Sequence, residues 1–428
     1  MAFYTLGCKL NYAETSIIAE ELSSKGYSVV DFEDNPGVFI INTCSVTDFA
    51  DRKNRKIIRK AKKINPASKV IVIGCYAQLK PEEIASIEGV DLVLGAGEKF
   101  DIYRYLQNDA EQKYIAGEIE NVNGFHRAFS SGDRTRSFLK VQTGCDYPCT
   151  YCTIPKARGK SRSGELAAII HDASIIASKG IKEIVLTGVN IGDYGKGLDD
   201  EDLNFLNLLQ ALDKVEGIER IRISSIEPNL ISDAIIDFVA QSDSIVPHFH
   251  IPLQSGSNKI LQLMKRRYKR ELYEKKVKAI KKIMPHAAIG VDVITGFPGE
   301  TEEDFLDTYE FIKALDVSYL HVFTYSERTG TIAAQMDGKV QMNIRRERNA
   351  RLTNLSLKKK HAFYSSFLNT ERKVLVEKAG SDGKYTGFTD NYIKVKINSS
   401  GDIYNKIVDV KLKNINSDYT VEAEIKST

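Results

Sequence analysis

No apolar run in this sequence reaches the roughly 18 residues that a membrane-spanning helix needs, so a helical membrane protein is excluded and no membrane partner is expected. The opening residues, MAFYTLGCKL, lack a basic stretch followed by an apolar signal core, and the expected location is the cytoplasm. Cysteine is scarce, with six in 428 residues. Without a secretory signal, that even count reads as reduced thiols available to metal rather than as a disulfide framework. The seven histidines show no ligand spacing, and His248 and His250, on one face of a strand, are expected to pack in a core. Charge of one sign is also missing. The net charge is only +3, so any binding to nucleic acid must come from local patches.

What is present is concentrated in the cysteines. Residues 144–152 read GCDYPCTYC, which sets Cys145, Cys149 and Cys152 at the spacing CxxxCxxC with Tyr151 directly before the last. Three thiolates on one loop can hold three irons of a cubane cluster and leave the fourth iron open, whereas a structural zinc site wants four closed ligands. No fourth His or Cys stands close by. The other three cysteines share a different context. Cys8 in FYTLGCKLN, Cys44 in VFIINTCSVT and Cys75 in VIVIGCYAQ each follow an apolar run and precede a helical pattern. In a parallel sheet the carboxyl ends of the strands share one edge, where such folds place ligands. A second three-ligand site is expected there.

The pattern of elements predicts an α/β protein in three parts. Residues 1–108 alternate strand and helix as a parallel α/β sheet domain, 109–135 are polar and irregular and read as a linker, and 136–370 repeat the alternation six times before a helical connection. Residues 371–428 carry short β runs with turns such as SDGK and SSGD, which suits a small all-β barrel. The hydrophobic fraction of 42% and charged fraction of 27% are those of a soluble globular chain.

CxxxCxxC with an aromatic before its third cysteine resembles the signature of radical S-adenosylmethionine (SAM) enzymes. Together with TLGCKLN, NTCSVTD, GCYAQ, TIPKARG, RISSIEP, HIPLQSGS and DVITGFPGET, in that order, it makes nearly the whole chain similar to the radical SAM methylthiotransferase family. The resemblance implies a partial (β/α)6 radical SAM barrel, a TRAM-like C-terminal RNA-binding domain and two [4Fe-4S] clusters. Cys145, Cys149 and Cys152 would hold the cluster that splits SAM to a 5′-deoxyadenosyl radical. Cys8, Cys44 and Cys75 would hold the auxiliary cluster that carries sulfur. A first SAM would supply the methyl group and a second the radical, with methionine, 5′-deoxyadenosine and S-adenosylhomocysteine as products. SAM contacts are expected from Tyr151 and from strand ends: Gly188 and Asn190 in LTGVN, Ser225 and Glu227 in RISSIEP, and Gln254 in IPLQSG. The string DVITGFPGE adds Asp292 and Gly296, although Asp292 replaces the first glycine of the superfamily's GxIxGxxE motif and Glu300 falls one position late. No residue beyond the clusters is assigned a catalytic role.

The substrate is weighed among branches of that family. The strings TLGCKLN, LTGVNIGDYG and HVFTYSERTGT look most like the branch that adds methylthio at carbon 2 of N6-threonylcarbamoyladenosine at position 37 of tRNA. That implies the tRNA anticodon loop as partner, besides an electron donor and a sulfur donor. Isopentenyladenosine in tRNA and an aspartate of a ribosomal protein are the alternatives; the latter branch usually carries Pro where this chain has Lys9. A non-catalytic iron-sulfur RNA-binding protein and a radical methylation without sulfur insertion remain further readings. Three basic stretches, 52–63 with eight Lys or Arg, 265–270 and 345–351, are expected to meet phosphates. The C-terminal segment, with ten basic against nine acidic residues, adds no such signal.

Overall fold

The computed structural model describes residues 1–45, 48–108, 112–132, 135–380 and 383–426. Val46 and Thr47 of NTCSVTD, residues 109–111 and 133–134 of the expected linker, and Ser381 and Asp382 of the SDGK turn lie outside the described residues.

The first domain is a parallel sheet in the order β1 (Ala2–Thr5), β2 (Val38–Thr43), β3 (Lys69–Gly74), β4 (Leu92–Leu94), β5 (Tyr114–Ile115). Its central strands, VFIINT and KVIVIG, are near-continuous apolar runs because both faces are covered. Ile18 and Leu22 of α1 (Lys9–Ser24) pack on one face with Ile40, Ile71 and Leu94. Ile57, Ile58 and Ala61 of α2 (Asp48–Ile64) pack on the other with Phe39, Ile41 and Val72. Cys75 opens α3 (Cys75–Leu79) directly after β3. Strand β5 differs from expectation: it arises within the stretch read as a linker and pairs with β4. Two apolar residues, Tyr114 and Ile115, are too few to show a period.

The second domain is an open barrel. Its elements begin with β6 (Arg136–Lys140), the hairpin β7 (Gln142–Thr143) and β8 (Arg162–Ser163), and β9 (Glu183–Thr187). They continue with β10 (Arg220–Arg222), β11 (His248–His250), β12 (Ala288–Thr295) and β13 (Tyr319–Thr324). Sheets β6-β9-β10 and β11-β12-β13 are joined by bridges Ile221–Ile245 and Ser225–His250, giving six parallel strands in sequence order. Leu139, Ile184, Leu186, Ile221, Ile289 and Val291 face the surrounding helices. The alternate positions face the lumen, and many of them are polar: Lys140, Glu183, Arg222, His250, Asp292, Tyr319 and His321.

The chain ends in a closed barrel, β14 (Glu371–Ala379), β15 (Tyr385–Thr389), β16 (Lys394–Ile397), β17 (Ile407–Ile415) and β18 (Val421–Ile425), with neighbours ordered β14-β15-β16-β18-β17. It seats on the foot of the larger barrel. Arg220 donates to the carbonyls of Phe388 (3.0 Å) and Lys373 (2.7 Å), and Arg222 to that of Asp390 (3.2 Å). The Tyr392 ring lies 4.4 Å from that of His248.

The first domain is fixed to the barrel through one carboxylate. Glu14 of α1, 1% exposed, meets Lys99 of its own domain at 2.6 Å and, across the interface, Lys140 and Arg158 at 3.0 Å each. Tyr12 and Ala13 beside it pack on Phe138 and Val185. Burial works against the Glu14 charge, but Arg158, Lys99 and Lys140 outweigh it and hold its pKa well below the usual 4.5. On acidification the unfolded chain therefore takes up a proton first. The stabilisation is complete above pH 4.5 and is lost as pH falls toward the folded value. Glu14→Gln leaves buried cations facing a neutral amide and is expected to cost about 3–5 kcal/mol. Thermal unfolding followed against pH checks this: the midpoint should drop at neutral pH and the acid limb should flatten relative to wild type.

Candidate active site

The CxxxCxxC loop is held by its own backbone and by a neighbour. The Cys145 amide donates to the Gly159 carbonyl at 3.0 Å, that of Cys152 to Cys149 at 3.1 Å, and that of Thr150 to Met264 at 3.2 Å. Burial raises the Cys145 thiol to about 11 and the Cys152 thiol to about 12. Both thiolates thus need a cationic partner at neutral pH, which a metal centre supplies. Arg266 brings a further positive charge, its Nη1 lying 3.2 Å from Cys149 Sγ.

Strands β1, β2 and β3 end on one edge, and Cys8, Cys44 and Cys75 follow them. Gly7, at φ +105°, allows the close approach of two of these segments: a Cβ there would stand 2.7 Å from Cys44 Cβ and 3.1 Å from its Sγ. All six cysteines are free of disulfides. Among the described residues, only His250, Asp292 and His321 bring three ligand-type atoms within 4.8 Å of one another. Zinc–sulfur bonds of about 2.3 Å would draw three thiolates closer than that, so neither cysteine triad is closed round a single ion. Each has three thiolate donors, a donor set that fits an iron-sulfur cluster with one open iron.

Two arginines tie the triads together. Arg158, in the helix α4 (Ile154–Arg158) that follows Cys152, donates at 2.5 Å to Asn11 Oδ1, which Cys8 Sγ also approaches at 4.0 Å. Arg328 donates to Ser45 at 2.5 Å and to Asp51 at 2.8 Å, beside Cys44. Arg328 also lines a cavity of about 200 Å³ in the barrel, together with Tyr151, Cys152, Gln254, Asp292 and Tyr325, among others.

The strand-end residues divide into groups. Tyr151, Gln254 and Asp292 line this cavity. Gly188, Asn190, Ser225 and Glu227 form the opposite rim and are not in its wall. There, Gln142 Oε1 accepts from the amides of Val189 (2.9 Å) and Asn190 (3.0 Å), and Asn190 in turn donates to Asp193 at 3.1 Å. Ser225 bridges to His250. Glu227 takes both Arg266 and Arg267 at 2.8 Å, which connects it to Cys149. Gly296, at φ +74°, stands behind the wall with Arg345 packed where a Cβ would be.

Several contacts had no signal in the sequence. His250 and His321 both reach Asp292 Oδ1, at 2.7 and 3.2 Å, from separate strands. Burial disfavours the Asp292 charge, yet these two hydrogen bonds keep its pKa below the usual range. The basic stretches also separate. Arg266, Arg267 and Arg270 are engaged by Glu227, Glu271 and Asp307, and Arg345, Arg348 and Arg351 by Glu327, Glu300 and Glu302. Lys265 and Lys269 of the one stretch and Arg346 of the other are exposed. In α2, Arg55, Lys60 and Lys62 pair with acids, while Arg52, Lys53, Lys56, Arg59 and Lys63 remain exposed.

Comparison with known proteins agrees with this arrangement. The family model described as "Uncharacterized protein family UPF0004" matches residues 1–95, and that of the "Radical SAM superfamily" matches 139–312. The chain is 43% identical to a Bacillus subtilis (strain 168) protein named threonylcarbamoyladenosine tRNA methylthiotransferase MtaB, over 96% of this chain and 93% of that one. It is 42% identical to the protein of that name from Aquifex aeolicus (strain VF5), over 92% and 96%. A tRNA-2-methylthio-N(6)-dimethylallyladenosine synthase of Alkaliphilus oremlandii (strain OhILAs) is 34% identical, over 95% and 89%. Among solved structures, the radical S-adenosylmethionine methyltransferase TsrM from Kitasatospora setae shares the fold, with TM-score 0.59 and 16% identity over 78% of this chain and 76% of that one.

Gly296→Ala tests the cavity wall. A side chain at this positive φ costs about 1–2 kcal/mol, and it displaces Arg345, which holds the Tyr325 carbonyl at 3.0 Å. A lower thermal midpoint together with weaker equilibrium binding of SAM is expected, by calorimetry on the reconstituted protein.

Proposed function

Since the chain belongs to the radical SAM methylthiotransferase family, we propose that it adds a methylthio group to carbon 2 of N6-threonylcarbamoyladenosine at position 37 of tRNA. The observation that carries this reading is the barrel cavity that has Cys152 in its wall and, also in that wall, Arg328, whose guanidinium donates to Ser45 next to Cys44 of the other triad. When bound, two [4Fe-4S] clusters and SAM supply the one-electron chemistry and the sulfur that replace an unreactive carbon–hydrogen bond. Cys145, Cys149 and Cys152 hold one cluster, and Cys8, Cys44 and Cys75 the other.

The remaining residues bind and orient. Tyr151, Gln254, Asp292 and, behind the wall, Gly296 shape one side of the SAM site; Gly188, Asn190, Ser225 and Glu227 form the other. Glu227 holds Arg266 against Cys149, so this guanidinium stays fixed while charge at the sulfur changes. The Glu14 hub fixes the first domain, with its three cysteines, against the barrel.

A base can reach this chamber only if it is unstacked, and an anticodon loop offers an unpaired purine at a modest cost. The exposed cations of α2 and the C-terminal barrel, a TRAM-like module, would carry the phosphates of the stem. An electron donor and a sulfur donor complete the reaction in the cytoplasm.

Mass spectrometry of tRNA nucleosides from cells lacking the gene should show loss of methylthio-threonylcarbamoyladenosine, with recovery on complementation. An unchanged profile would reject the tRNA reading and direct attention to a ribosomal-protein aspartate; loss of methylthio-isopentenyladenosine instead would reassign the base. The triple variant Cys8→Ala/Cys44→Ala/Cys75→Ala should lose about half of its bound iron and all methylthio transfer while still cleaving SAM reductively. Product from that variant would overturn the division of labour between the triads.

A further inference from the structure

Nearly every cation around the chamber has its own acid. Lys99, Lys140 and Arg158 meet Glu14, Arg222 meets Glu183, Arg136 meets Glu377, Arg266 and Arg267 meet Glu227, and Arg328 meets Asp51. Lys9 is different. It opens α1 directly after Cys8, its side chain is exposed, and among the described residues no carboxylate or carbonyl takes its ammonium in an ion pair or hydrogen bond. Its ammonium is near enough to the lumen for its charge to act on Arg222, Arg136, Glu183 and His248. The wall beyond carries His250 and His321, both already turned to Asp292. The lumen thus has more positive groups than acids to balance them, with its one uncommitted ammonium beside an auxiliary-site cysteine.

The two kinds of relative differ in the N6 substituent named for their substrates. Threonylcarbamoyl carries a carboxylate, and dimethylallyl is an uncharged hydrocarbon. Resting on the substrate reading above, we propose that Lys9 is the specificity-determining residue that receives the carboxylate of the N6 substituent, and so selects an acidic side chain over an alkyl one. An uncharged substituent bound against Lys9 would strip water from its ammonium and leave it desolvated without a partner, which is costly. A carboxylate would satisfy it with a charge-assisted hydrogen bond. Discrimination therefore comes as much from rejecting the wrong base as from holding the right one.

The test uses anaerobically reconstituted full-length protein and anticodon stem-loop RNAs bearing adenosine, N6-threonylcarbamoyladenosine, or its threonyl amide, in which the acid is neutral. Wild type should bind the acid RNA more tightly than the amide RNA by about tenfold to a hundredfold. Lys9→Met should bind acid and amide RNAs alike and show a raised KM on the acid RNA, with affinity for the adenosine RNA and cluster absorbance unchanged. Lys9→Arg should restore part of the preference. Equal binding of acid and amide RNAs by wild type overturns the proposal whatever the variants do, as does a full preference retained by Lys9→Met. Failure of the substrate reading would look different: wild-type holoenzyme would form no methylthio product on the acid RNA.

Discussion

The buried meeting of Glu14 with Lys99, Lys140 and Arg158 is the interaction on which the rest of the structure depends. Two domains that could each fold round its own core are locked in register by a carboxylate with almost no exposure. The cost of burying four charges is recovered only if all are present and correctly placed. Such a hub is a poor source of net stability compared with an apolar contact of the same size, but it tolerates little sliding. It sets the distance between the edge of a parallel sheet and the mouth of a barrel, and therefore between the two groups of cysteines.

Around that hub the chain uses arginine for positioning. Arg158, Arg266 and Arg328 each bridge a cysteine-bearing segment to a distant element, at Asn11, Glu227 and Ser45 respectively. The planar guanidinium, with several donors in fixed directions, suits that task better than lysine. The same geometry engages part of the basic runs at 265–270 and 345–351, where Arg266 and Arg345 are held by Glu227 and Glu327. Arg266, Arg345 and Arg348 are drawn inward, whereas Arg52, Lys53, Lys56, Arg59 and Lys63 of α2 stay exposed.

How much was legible in the sequence follows from how local each signal is. CxxxCxxC lies within nine residues, and Cys8, Cys44 and Cys75 each sit at the end of a readable apolar strand, so their shared contexts could be recognised before any contact was known. Six strand–helix repeats and a terminal β module were equally plain. The pairs that finish the site are not local. Arg266 and Cys149 are 117 residues apart, Arg158 and Glu14 are 144, and Arg328 and Ser45 are 283. Likewise His321 joins His250 at Asp292 only because β11, β12 and β13 lie side by side. The fifth strand of the first sheet escaped notice since two residues cannot display a period of two.

The seat of the C-terminal barrel has a consequence for traffic. With Tyr392 against His248 and the 388–390 turn hydrogen-bonded to Arg220 and Arg222, the larger barrel is stoppered at its foot. A vessel stoppered below is filled and emptied through its rim. Whatever enters the lumen from that side shares the rim with the CxxxCxxC loop and the strand ends. The plug that braces the barrel therefore also leaves the rim as the end from which it is served.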